Sequence, residues 1–545
     1  MRRAESGKTH RVRVTIGPVV GLAAENSRAR VGWMLRVNRL YGPEESWVHI
    51  SAFAPAFRGG SYGRSASIST ISRWETAELP VSEAAVRRYE ELLAVPADLL
   101  TATAHTVLRY SASSALRHPP LAGQVVRREL EDILDLATGD EVMTGRQWCA
   151  LAGGLDAAGA AAIMPSRVWR DVADRLIVEM TIADGVPWML RFEALNRLLN
   201  HPRGGRFAVA ACNAFAADDR NQAVVEVIGA LDNTDLEDAA ARVVDQIRAP
   251  SGERTHLGAL LASVRKARYG HFAAEHVGSM LRSFDELVRD AAASEVVRSL
   301  VTQTVRELPL MHLQTALARR AARRILLEDQ AVPTPRPDTR RESTMARTLA
   351  ARVISLQQRH APGEHEVTFA ALVDEMLTDT NSDVRLFAAC LLTATPYGGL
   401  LADAIVAELS QASVLRNPQS AVMLLDALRF LGQERHRPIV ERLILASGLS
   451  PSISAAACHH LGHVGVHSDR SFWARALSAH LNRWAASHTD ADVSVLRDLV
   501  YALGRAREKR FLEQLRLDTR FPPTARAAAA WWYAIPDSVH ESASR

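Results

Sequence analysis

Residues 67–75 read Ser-Ile-Ser-Thr-Ile-Ser-Arg-Trp-Glu. Wound at about 100° per residue, this stretch is a two-faced helix. Ile68, Ile71 and Trp74 recur every third position and are predicted to bury against neighbouring helices. Ser69, Thr70, Ser72 and Arg73 fall on the other face. That face is short, hydroxyl-rich and carries one long cation. Small side chains let a helix backbone come close to base edges, and an arginine fork suits guanine or a phosphate. Ser67 is placed to cap the helix, leaving free N–H groups that can face a phosphate.

The flanks fit a compact helical unit. Upstream, Val31–Leu40 is amphipathic, with Trp33, Met34, Val37 and Leu40 available for packing. Ser46–Phe57 is expected to be a helix that positions the next one. Between them and Ser67 lies Arg58–Ser67 (RGGSYGRSAS), glycine-rich and longer than a tight turn. Downstream, Val81–Leu93 is a helix with Val86, Tyr89, Leu92 and Leu93 on its apolar face. It stops at Ala94-Val95-Pro96, and Ala97–Leu100 begins another turn.

Ile71-Ser72-Arg73-Trp74-Glu75, followed by the Val86–Pro96 run Val-Arg-Arg-Tyr-Glu-Glu-Leu-Leu-Ala-Val-Pro, resembles the lambda-repressor-like (xenobiotic-response-element, Cro-type) helix-turn-helix regulators. The resemblance covers about residues 31–105. It implies that residues 67–76 form a recognition helix in the major groove. By position, Ser69 and Thr70 would read bases and Arg73 would touch a base or phosphate. Ser67, Ser72 and Arg64 complete the expected DNA-facing set. Ile71 and Trp74 would be core, and Glu75 structural. The chain departs from the family in two places. Thr76, Ala77 and Glu78 stand where a glycine is usual, and the Leu-Ser-Gln-x-x-Leu-Ala positioning helix is absent. The function implied is sequence-specific binding of double-stranded DNA to regulate transcription. A homodimer is expected, because one recognition helix reads only a few base pairs.

Charge distribution agrees. The 545 residues carry a net charge of +4. The first 80 hold twelve Arg or Lys against six Asp or Glu, a local excess of +6 that leaves the remainder near −2. A duplex presents a negative charge every ~1.7 Å of axis, so positive charge gathered at one end matters more than the total. Residues 1–30 read as a flexible basic arm, with a short strand possible at Val12 to Ile16. The four cysteines, Cys149, Cys212, Cys390 and Cys458, form no CxxC pair. Neither a disulfide framework nor a thiolate metal site is expected, and a cytoplasmic, nucleoid-associated setting fits. No apolar run reaches the ~18 residues of a membrane span.

The rest of the chain reads as all-α. After a linker at 111–122, amphipathic stretches such as Val126–Leu136, Trp169–Thr181, Leu190–Leu199 and Val224–Ala230 recur, giving a helical domain over 123–330. AVPTPRPDTRRE (331–342) breaks it, since each proline removes a backbone donor. Over 343–540 similar units begin with a polar or proline turn and run into a small-residue helix. Three of them end in Leu-Gly, at Leu431-Gly432, Leu461-Gly462 and Leu503-Gly504. These units resemble HEAT-like repeats, with Asp383-Val384-Arg385 as the closest match; a plain bundle is the alternative. This body would supply a dimer interface, a protein partner surface or a small-molecule effector pocket.

Three weaker constellations stand outside this reading. Cys458, His459, His460, His463 and His467 cluster, but histidines on helices are usually structural and no metal is assigned. Arg319, Arg320, Arg323 and Arg324 make a basic stripe, expected to be a solvated face paired with Glu328 or Asp329. Trp531-Trp532-Tyr533 is expected to cap the core. No GxGxxG, Walker, HExxH or GxSxG motif is present, so no cofactor and no enzyme class is assigned. The competing readings are a helical-repeat protein-interaction scaffold whose N-terminal module does not bind DNA, and a nucleic-acid enzyme on a helical body.

Overall fold

The computed structural model describes residues 24–111, 127–313, 315–331, 337–357, 364–464 and 468–545. Every regular element among them is helical, as the periodicity predicts, and there is no strand. The basic segment 1–23, with the possible strand at Val12 to Ile16, and residues 112–122 of the expected linker lie outside the described residues.

Five helices make the N-terminal module: α1 (Ala24–Leu40), α2 (Ile50–Ala56), α3 (Ile68–Glu75), α4 (Glu83–Leu93) and α5 (Leu99–Tyr110). Met34 and Val37 of α1, Phe53 of α2, Ile71 of α3 and Tyr89 of α4 are fully buried among them. Helix α1 starts at Ala24, so residues 24–30 belong to it and not to a mobile arm. Ser27 and Arg30 are buried there, and Arg30 pairs with Glu375 of the body at 2.5 Å.

The expected positioning helix Ser46–Phe57 is broken in two. A 3-10 turn, Glu45–Val48, precedes α2, and His49 between them is extended. Arg39 explains the break. Its Nη1 donates to the carbonyls of Trp47 and Val48 at 2.6 and 2.8 Å. Those are carbonyls that a continuous helix would have used for itself.

From Arg127 onward, two runs of helices stack so that each member packs on the next but one. One run includes Val224–Gly229, Glu253–Tyr269 and Glu295–Glu307; a second includes Pro418–Leu431, Pro451–Leu461, Asp490–Arg505 and Pro523–Ala534. The Leu-Gly endings have a steric cause. Gly432 lies against the His460 ring, Gly462 against Tyr501 and Gly504 against Trp532, each ring belonging to the following stacked helix. A Cβ at any of these positions would meet the ring, and interiors have no slack to absorb it. Of the proline-rich break, residues 332–336 lie outside the described residues. Residues 337–342 are helical, opening Pro337–Leu356 with a proline at the first helical position, where its missing N–H costs nothing.

The two runs face each other. Arg254 pairs with Asp498 at 2.9 Å, Gln222 donates to the Arg497 carbonyl at 2.7 Å, and Trp532 donates to Gln222 at 2.9 Å. The C-terminal helix Asp537–Ala543 returns to Ser166–Ile182, and the Arg545 carbonyl accepts from the Gly145 N–H at 2.8 Å. Fully buried Arg191 locks this closure, bonding Glu179 at 3.1 Å and the Met143 carbonyl at 2.9 Å. The module is fused to the body. Asn38 donates to the Ala394 carbonyl at 2.7 Å, Arg109 pairs with Glu193 at 2.8 Å, and one apolar core joins the module to helices after residue 337.

Candidate nucleic-acid interface

Helix α3 is anchored on its inner side. Ile71 and Trp74 are buried, and so is Glu75, whose carboxylate takes both prongs of the Arg39 guanidinium at 2.7 and 2.6 Å. The Tyr89 hydroxyl donates to the same carboxylate at 3.0 Å. Burial, with the Glu75 charge beside it, pushes the Tyr89 phenol well above its ordinary range, so it stays a donor. The glycine-rich connection is held in place as well. Tyr62 packs between Phe57 and Trp74 at 5.2 and 5.6 Å, and Glu91 accepts from the Ser61 N–H at 3.0 Å.

The outer side is open. Ser67 caps the helix, accepting from the Thr70 N–H at 3.1 Å, and its hydroxyl meets that of Thr70 at 2.9 Å. Ser67, Ser69 and Arg73 are exposed, Thr70 and Ser72 half-buried. Among the described residues the Arg73 guanidinium pairs only with Glu78, at 3.8 Å and with both side chains exposed, a pair of little worth. Arg64 lies over the Tyr62 ring at 4.8 Å, three residues before the cap. Five of the six expected DNA-facing residues therefore share one helix or its cap, and the sixth sits in the connection leading to it.

Ile68 departs from expectation. It is 53% exposed, not buried. It occupies the first position of the helix, beyond the rim of the core, and lines a groove of about 500 Å³ between α1, α2 and α3. Arg36, His49 and Ser51 line the same groove. They are the polar neighbours that sequence reasoning missed, because the groove is assembled from three separate elements. Arg36 has no partner among the described residues. The missing family glycine also has a structural counterpart. Ala77 adopts φ +62°, the left-handed conformation a glycine takes without strain.

The weaker constellations turn inward. His463 bonds Asp184 at 2.8 Å and Tyr501 at 3.1 Å, His459 stacks on Tyr501 at 4.5 Å, and the His460 ring is buried with no hydrogen-bond partner among the described residues. These rings do not converge on a common point, and His467 lies outside the described residues. Arg319, Arg320 and Arg323 are exposed, and Arg324 pairs with Asp285. The Glu328 and Asp329 side chains lie outside the described residues. Trp532 is buried, while Trp531 and Tyr533 are half-buried. Burial pushes the Cys149, Cys212 and Cys390 thiols up to about 12, so each stays protonated. No single helix among the described residues is long and apolar enough to cross a membrane.

No protein-family model, curated protein or solved structure matches the chain.

Proposed function

We propose that this chain is a sequence-specific DNA-binding transcriptional regulator in which α2, the glycine-rich connection and α3 act as a helix-turn-helix. Helix α3 lies in the major groove of a duplex. The observation that carries the reading is its two-sidedness. Ile71, Trp74 and Glu75 are clamped from behind, while Ser69 and Arg73 stand exposed with almost no protein partners. The short hydroxyls of Ser69, Thr70 and Ser72 admit close approach to base edges. Arg73 supplies a fork for guanine, and the capped N-terminus with Arg64 and Arg36 holds phosphates. The HEAT-like body serves as the platform, pairing two copies so that two half-sites are read together.

Arg73→Ala tests the assignment. In a polarisation titration of purified full-length protein against a retained duplex, it is expected to cost about 1–3 kcal/mol. Unchanged affinity in a variant with the native melting profile removes Arg73 from the reading surface.

A further inference from the structure

Between the two runs of the body lies a cavity of about 540 Å³, within the size range of small-molecule sites. A second space of about 550 Å³ shares Arg385, Val422, Asp426, Phe430 and Ser452 with it and extends past Glu295 and Gln419. Trp188, Phe192, Leu257, Leu261, Leu386 and Phe430 make the apolar part of the wall.

Most charges in this wall are spent on one another. Arg254 takes Asp498 at 2.9 Å, Arg265 takes Asp383 at 3.6 Å, and Arg429 takes Glu226 at 3.7 Å. Two groups of opposite sign are left over. Asp426 has no hydrogen bond or ion pair among the described residues, and its exposed side chain lines the cavity. Arg385 makes no ion pair there, and its Nη1 donates only to the Asp379 carbonyl at 2.6 Å. Both groups stand on the same stretch of wall, since each lines both spaces.

We propose that this cavity binds a small zwitterionic molecule with an apolar body, of short-peptide chemistry. Its ammonium meets Asp426 and its carboxylate meets Arg385. Its side chains lie on the Trp188, Leu386 and Phe430 wall. A zwitterion complements both groups at once, whereas a molecule with one charge complements only one of them. The volume favours a dipeptide over a single amino acid.

The test is isothermal titration calorimetry of the full chain with three matched probes. They are the dipeptide phenylalanyl-phenylalanine, its N-acetylated form lacking the ammonium, and its C-terminal amide lacking the carboxylate. The unmodified dipeptide is expected to bind saturably and at least about tenfold tighter than either analogue. Asp426→Asn should erase the discrimination against the N-acetylated form, and Arg385→Gln that against the amide. No saturable binding at millimolar dipeptide, or equal binding of all three by the native chain, overturns the proposal without any variant. Unaltered discrimination in variants that melt like the native chain overturns the assignment of the two residues. No DNA enters the experiment, so its failure leaves the reading of α3 standing.

Discussion

Helix α3 and the body helix Asp490–Arg505 both carry polar side chains along one face, but these meet different surroundings. On Asp490–Arg505 they turn into the protein. Asp498 receives Arg254 at 2.9 Å, the Tyr501 hydroxyl meets His463 at 3.1 Å, and Arg505 donates to the Gly462 carbonyl at 3.1 Å. On α3 Ser69 and Arg73 turn to water, and among the described residues Arg73 pairs only with Glu78, at 3.8 Å. A polar group taken out of water must find a partner or cost several kcal/mol. The inward set is therefore explained by folding alone. The outward set gains little from folding beyond the Ser67 cap, and its hydration can be exchanged for base edges and phosphates.

If the inward groups are structural, cutting one should hurt most. Arg191→Met leaves Glu179 facing only Arg175 and the Trp148 N–H and frees the Met143 carbonyl, with an expected loss of about 3–5 kcal/mol in chemical denaturation. A loss below about 1 kcal/mol would mean that the closure by the C-terminal helix carries little weight.

The inward set also predicts an acid response. Burial, with Arg505 and Arg429 nearby, holds the His463 imidazole down at about 3 despite Asp184, and burial holds His540 at about 4. An unfolded histidine takes up its proton near pH ~6.5. Below that the unfolded chain binds more protons than the folded one, so stability falls as pH drops from about 6.5 towards 3–4. Melting midpoints measured at pH about 7.5 and about 5 should differ in that sense, and His463→Gln should reduce the difference. An equal midpoint at both would place these rings in water.

The smallest effect sits at the end of α3. Ala77 holds φ +62°, which costs a residue with a Cβ about 1–2 kcal/mol. Ala77→Gly is expected to stabilise the chain by up to about 1 kcal/mol in the same denaturation assay, once the added freedom of the unfolded glycine is counted. A destabilised variant would mean that another contact holds that turn.

Much of this was legible beforehand, for local reasons. The period of Ile71 and Trp74, the Ser67 cap and the Val81–Leu93 pattern are written in neighbouring residues, and so is the all-helical class. What stayed illegible depends on distant partners. Arg39 takes the carbonyls of Trp47 and Val48 and so divides the expected positioning helix. Arg30 pairs with Glu375, 345 positions away, and turns part of the expected arm into helix. The Leu-Gly periodicity was visible, but the rings that require it belong in each case to the next stacked helix, the next but one along the chain. The cavity left no trace at all, because Arg385 and Asp426, which make no ion pair among the described residues, come together on its wall only in the folded chain.

The most direct test of the outward face is capture of fragmented genomic duplex by the purified full-length chain, with non-specific competitor, at low and moderate salt. It would be compared with a variant carrying Ser69→Ala, Thr70→Ala and Arg73→Ala together. The account predicts that the native chain retains a few discrete fragments, less strongly at higher salt, and that the variant retains none while melting at the same temperature. Retention of the same fragments by the variant, or of none by the native chain at either salt, would contradict it.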